Sequence, residues 1–92
     1  MATVDRTCGA DGKSDCFVSL RAGVSGASAD RRHLDEGAKV RVMCQRHGEE
    51  AYSSVLGRSS DVWARTRGGL YLANVYLTGP GLDPFRITLP RC

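Results

Sequence analysis

Four cysteines in a chain of 92 residues constrain this sequence more than any other feature. A chain this short buries only a limited core and gains much from crosslinks, and its length fits one domain, residues 1–92. Cys8, Cys16, Cys44 and Cys92 form an even set, the arithmetic of a disulfide framework made in an oxidising compartment. Export is the implication. Three pairings are possible; the short spacing of Cys8 and Cys16 suits a local clip, which leaves Cys44 to tether Cys92. On the loop-entropy model the long bridge contributes up to ~4 kcal/mol and the short one ~2.5 kcal/mol.

No apolar run follows Met1, so the chain reads as a mature secreted form carrying an added start methionine. No stretch is long and apolar enough to cross a membrane, and no membrane insertion is expected. Residues 1–57 hold eight basic and eight acidic side chains, which cancel. The formal excess of +3 therefore lies in the last third, where Arg58, Arg65, Arg67, Arg86 and Arg91 face only Asp61 and Asp83. That suggests a weakly basic surface for an anionic partner. Nucleic acid is not expected, because the arginines are isolated and no recognition motif accompanies them.

The hydropathy pattern reads as short strands. Residues 1–16 are a polar stapled arm ahead of the first strand, Phe17 to Arg21, and Ala22 to Ala29 is a long loop of small residues. Asp30 to Glu36, charged apart from Leu34, has room for a single helical turn but reads more readily as loop. Lys39 to Cys44 alternates, with Val40, Val42 and Cys44 on the inward face and Lys39, Arg41 and Met43 outward. Gln45 to Asp61 is either a long hairpin loop or a weak strand between two loops. Val62 to Thr66 and Leu70 to Ala73 flank Arg67-Gly68-Gly69, a tight-hairpin signal. After the turns at Gly79-Pro80-Gly81 and Asp83-Pro84, the alternation of Phe85, Ile87 and Leu89 predicts a last strand ending at Cys92. The expected class is all-β, a small barrel or sandwich.

Three patches carry a resemblance: Ser19 to Ser25, Leu34 to Val42, and Val62-Trp63-Ala64-Arg65 through Gly68-Gly69 to Tyr76-Leu77. Together they resemble the bacterial-type SH3-like domain, a barrel of five to six short strands found in exported cell-wall proteins, over residues 17–77. The last patch is similar to that family's distal hairpin and the closing turn ending in Tyr-Leu. Val24 stands where the family usually has Pro, Tyr71 where it has Trp, and Leu70 where it has Gly, and the Glu49 to Ser60 insert is longer than the family loop. The resemblance implies an SH3-like barrel with a disulfide-stapled arm (1–16) and a disulfide-tethered C-terminal strand (78–92), and a groove near the first loop that binds peptides or wall fragments.

The expected binding residues are Tyr52, Trp63, Arg65, Tyr71 and Tyr76, the aromatics offering large contact area at little rotamer cost. In so small a chain the same aromatics serve equally as core. Cys44 and His47 have a spacing that zinc accepts, but no second pair completes a site and a disulfide is the better use of Cys44, so neither metal nor cofactor is expected. His33, His47 and the scattered Ser and carboxylates sit in no catalytic motif. Leu82, on a turn stiffened by prolines, suits an inhibitor's reactive loop or, more plainly, a connecting turn folded back on the core. The expectation is a secreted, non-catalytic module that binds a cell-wall component or a protein; the alternative is a small secreted inhibitor or an adaptor subunit. Oligomeric state is not legible. Intact mass with and without alkylation should return no free thiol, and reductant should lower the urea midpoint by an amount worth several kcal/mol; four titrating thiols would remove the framework.

Overall fold

The computed structural model describes residues 2–7 and 16–92, so the Cys8–Cys16 clip falls outside the described residues. Eight strands follow in order: β1 (Ala2–Val4), β2 (Phe17–Arg21), β3 (Asp30–Asp35), β4 (Lys39–Val40), β5 (Val42–Ser53), β6 (Arg58–Thr66), β7 (Tyr71–Ala73) and β8 (Leu77–Thr78). A single 3-10 turn, Asn74–Tyr76, joins β7 to β8, and the described residues hold no α-helix. The strands make two antiparallel sheets, β4-β1-β8 and β3-β2-β7-β6-β5. Among the described residues no strand pairing joins the two sheets into a closed barrel.

The main core lies between the sheets. Ala2 and Val4 of β1 and Leu77 of β8 meet Val18, Leu20, Ala64 and Leu72 from the larger sheet, with Leu34, Val40 and Val42 packed at the margin. The arm is therefore more than a prelude to the first strand: its β1 is the central strand of the smaller sheet. Arg6, just beyond β1, takes a left-handed φ of 61°. A non-glycine residue there costs on the order of 1 kcal/mol, but the turn aims its guanidinium at the carbonyls of Val75 and Leu77, both at 2.7 Å. These charge-assisted bonds fasten the arm to the 3-10 turn.

The hairpin of β6 and β7 forms as its Gly-Gly signal predicts, with Gly69 at φ 85° and the Thr66 amide donating to Leu70. Asp30–Asp35, expected as loop, is instead strand β3, paired along β2 from Phe17↔Asp35 to Arg21↔Asp30. Only Leu34 is even partly buried in it, so the hydropathy pattern carried no trace of a strand that is held by backbone bonds at a solvated edge. Gln45 to Asp61 resolves into the two arms of a long hairpin, β5 and β6, turning at residues 54–57 with Gly57 at φ 66°.

The inward row of Val40 and Val42 does not continue to Cys44. Register shifts between Val42 and Cys44, so that Met43 and Cys44 together stand opposite Arg65. This β-bulge hands the inward place to Gln45, paired with Ala64, each fully buried. Cys44 takes the other face and bonds Cys92, with Cα atoms 5.0 Å apart.

The expected last strand over Phe85, Ile87 and Leu89 is absent; residues 79–92 make only isolated bridges, Asp83↔Arg86 and Gln45↔Arg91. Side-chain acceptors and a few isolated backbone bonds, rather than a ladder, satisfy the tail's amides. Gln45 Oε1 accepts from the Thr88 amide at 2.8 Å and the Leu89 amide at 2.7 Å, while Gln45 N donates to Pro90 and Cys92 N donates to Gln45 O. Asn74 Nδ2 donates to the Asp83 carbonyl, Ser60 Oγ donates to the Pro84 carbonyl, and Arg58 lies 3.8 Å over the Phe85 ring. The Phe85 amide donates to the Asp83 carboxylate and holds its pKa below the ordinary value.

Gln45→Ala should cost about 2 kcal/mol, the balance of two part-buried amides losing an acceptor against relief of Gln45 Nε2, which has no acceptor among the described residues. Hydrogen exchange should lose protection at Thr88 and Leu89 first; unchanged exchange there would show that the tail is held by something else.

Candidate functional site: the outer face of the larger sheet

Alternation along each strand sorts the larger sheet into two faces. Val18 and Leu20 of β2, Ala64 of β6 and Leu72 of β7 point into the core, which leaves Phe17, Ser19 and Arg21, Trp63 and Arg65, and Tyr71 and Ala73 on the outer side. There Trp63, Ala73 and Val75 form a second apolar cluster, with Val24, Ala51, Leu56, Tyr71 and Tyr76 packed against it.

A cleft of about 350 Å³ opens on this face, lined by Phe17, Trp63, Tyr76, Tyr52, Glu49 and Glu50 among others. Trp63 is its floor. Only 4% of that residue is exposed, and its indole N–H donates to the Glu49 carbonyl at 2.7 Å. Tyr52, 61% exposed, stands as a wall, and the Tyr76 hydroxyl donates to the Tyr52 carbonyl at 3.3 Å. On the far side Phe17 stacks on His33 with ring centroids 4.4 Å apart. Residues 22–29 close over β5: the Glu49 amide donates to the Val24 carbonyl at 2.8 Å, and the Gly26 amide to Glu49 Oε1 at 3.1 Å.

Gly48 makes that closure possible. A Cβ there would lie 2.5 Å from both Val24 Cβ and Val24 O and 2.8 Å from Trp63 Cδ1, inside contact distance.

Charge on the cleft is mixed. Glu49 and Glu50 line it together with Arg21, whose guanidinium donates to the Ser28 carbonyl at 3.1 Å. Asp30 sits just beyond, its carboxyl held below the ordinary value first by the hydrogen bond from His33 at 2.8 Å and also by that from Ser19 at 2.9 Å. Glu36 is held low in the same sense, chiefly by the hydroxyl and amide of Thr7.

Of the five residues expected to bind, Tyr52, Trp63 and Tyr76 line the cleft. Arg65 and Tyr71 lie outside it on the same face, opposite each other in register. The choice between groove and core dissolves for Trp63, which is both. Pattern reading missed Phe17, Glu49, Glu50 and Arg46. Phe17 had a usable signal, since alternation with Val18 and Leu20 turns it outward; the glutamates had none, because they sit on a polar stretch read as either a hairpin loop or a weak strand.

The arginines of the last third are divided: Arg58 covers Phe85, Arg86 reaches Asp83 at 3.4 Å, and Arg65 stands beside Tyr71. His33 lies on β3 and not in a loop, and His47 lies on β5, its Nδ1 3.0 Å from Asp61, while the Cys44 sulfur is committed to Cys92. Leu82 packs back against the main core.

No protein-family model matches this chain, and no curated protein matches its sequence.

Gly48→Ala should destabilise the fold by roughly 1–3 kcal/mol through overpacking. It should also shift the Trp63 fluorescence and the Gly26 amide resonance together, since loop and indole meet at that one Cβ position. An alanine variant with wild-type emission would mean that the loop does not rest on β5.

Proposed function

We propose that this chain is an exported, non-catalytic binding module of SH3-like type, which grips a peptide of the cell wall or of a protein partner through the cleft floored by Trp63. The cleft carries the reading: aromatic walls supply contact area, and its carboxylates and Arg21 supply orientation. The SH3-like part draws support from the hairpin of β6 and β7 and from the 3-10 turn that follows it into Leu77, where the resemblance expects a closing turn. Export draws support from the Cys44–Cys92 bridge.

The non-catalytic part of the reading draws support from how one polar cluster is ordered. Ser19, Asp30 and His33 do meet, but Asp30 is the middle member, touched by the hydroxyl at 2.9 Å and by the imidazole at 2.8 Å. A serine nucleophile needs the imidazole between itself and the carboxylate, so this order supplies no base to the hydroxyl. The inhibitor alternative loses its plug, because Leu82 packs on the core.

Tyr52→Ala removes an exposed wall without touching the floor, so it should leave the urea midpoint unchanged and weaken retention on purified peptidoglycan five- to thirtyfold, the usual range for an aromatic anchor. A wild-type chain that passes through such material unretained would sink the wall version. A Tyr52→Ala chain retained as well as wild type would sink the cleft.

A further inference from the structure

Beside the cleft, the same sheet face carries a second feature. Arg65 of β6 stands opposite Tyr71 of β7 on one side and opposite the Met43–Cys44 bulge of β5 on the other. Arg46 of β5 pairs in register with Trp63, and its guanidinium lies 5.9 Å over the Tyr71 ring. Arg21 of β2, the register partner of Tyr71 from the opposite side, turns its guanidinium to the Ser28 carbonyl and belongs to the cleft. Two arginines of neighbouring strands, Arg46 and Arg65, thus flank one tyrosine. Neither Arg46 nor Arg65 lies within ion-pair distance of a carboxylate among the described residues, although ten acidic residues are present in the sequence. Met43, the extra residue of the bulge, is 52% exposed and adds apolar surface at the edge of the patch.

We infer that this patch is a second subsite, for the carboxylates of an acidic peptide segment. Planar guanidinium forks match carboxylates bidentately, and the tyrosine ring beneath holds one of them in place by cation–π contact. Arg46 lies two residues along β5 from Cys44, the register partner of Arg65, a step of ~6.8 Å along the strand, and like-facing side chains of an extended peptide repeat by the same ~6.8 Å. Two acidic residues of one extended segment therefore reach both ends of the patch. Met43 and the Tyr71 ring favour a peptide over a phosphate polymer, which has no apolar side chain to lay against them. The Cys44–Cys92 bridge lies on this same side, opposite Arg65, and stiffens the bulge that presents Met43.

The subsite extends the reading of this face as a peptide-binding surface, but its test is independent of the cleft. The ¹⁵N-labelled oxidised chain is titrated with hexaglutamate, with hexaglutamine and with a phosphodiester polymer of equal charge. Hexaglutamate should shift the amides of Met43, Arg46, Arg65 and Tyr71 saturably, less so as salt rises, while hexaglutamine leaves them in place. Arg46→Gln with Arg65→Gln, both exposed positions, should raise the hexaglutamate Kd at least tenfold with an unchanged urea midpoint; Arg86→Gln, on the tail, should leave it alone. Tyr52→Ala should weaken retention on peptidoglycan without moving the hexaglutamate Kd, which separates failure of the subsite from failure of the cleft. Absence of saturable shifts, indifference to the double substitution, or tighter binding of the phosphodiester polymer would each overturn the assignment.

Discussion

The fold depends on one irregularity in β5. The extra residue at Met43 sets Cys44 and Gln45 facing opposite ways from the same turn of chain, and both then hold the tail. Cys44 does so covalently on the outside, through Cys92. Gln45 does so on the inside, where its fully buried side-chain oxygen takes two amides of a segment with no ladder of its own. A regular β5 would have kept Cys44 in the row of Val40 and Val42 and left the tail amides without an acceptor. The covalent link limits how far the tail can stray in the unfolded chain, and the amide clasp decides where it lies in the folded one.

The same strand builds the outer face. Beyond the bulge, Arg46 turns outward over Tyr71; farther along, Gly48 lets the first loop descend onto Trp63, and Glu49 then ties that loop down through both its amide and its carboxylate. Cleft and basic patch are thus two stretches of one surface, joined at Trp63, which lines the first and neighbours Arg46 in register at the second. Contact area and charge come from the same strands, with β5 supplying Tyr52 and Arg46 and β6 supplying Trp63 and Arg65.

How much of this could be read from residues alone follows from where the information sits. Strand β2 and the hairpin of β6 and β7 were legible because burial on one face and a glycine turn both leave marks at fixed spacing. The Cys44–Cys92 pair was legible from the arithmetic of spacing. Strand β3 was not, since its side chains are nearly all in water and only partner amides hold it. The bulge was invisible too, because Lys39 to Cys44 alternates perfectly as a string and the shift exists only relative to β6. The missing last strand has a related cause: Phe85, Ile87 and Leu89 alternate, but the neighbour they meet offers a glutamine side chain instead of an open ladder. Site aromatics were found by residue type, whereas Glu49, Glu50 and Arg46 depended on a register no single sequence prints.

Strand β3 carries one more consequence. Among the described residues it is the free rim of the larger sheet, and it presents Asp30, Arg31, Arg32, His33 and Asp35 with scarcely an apolar atom among them. At the opposite rim, the tail lies alongside β5 at Gln45. A sheet whose one border is studded with mixed charge and whose other is partly capped offers a poor template to a second copy of itself.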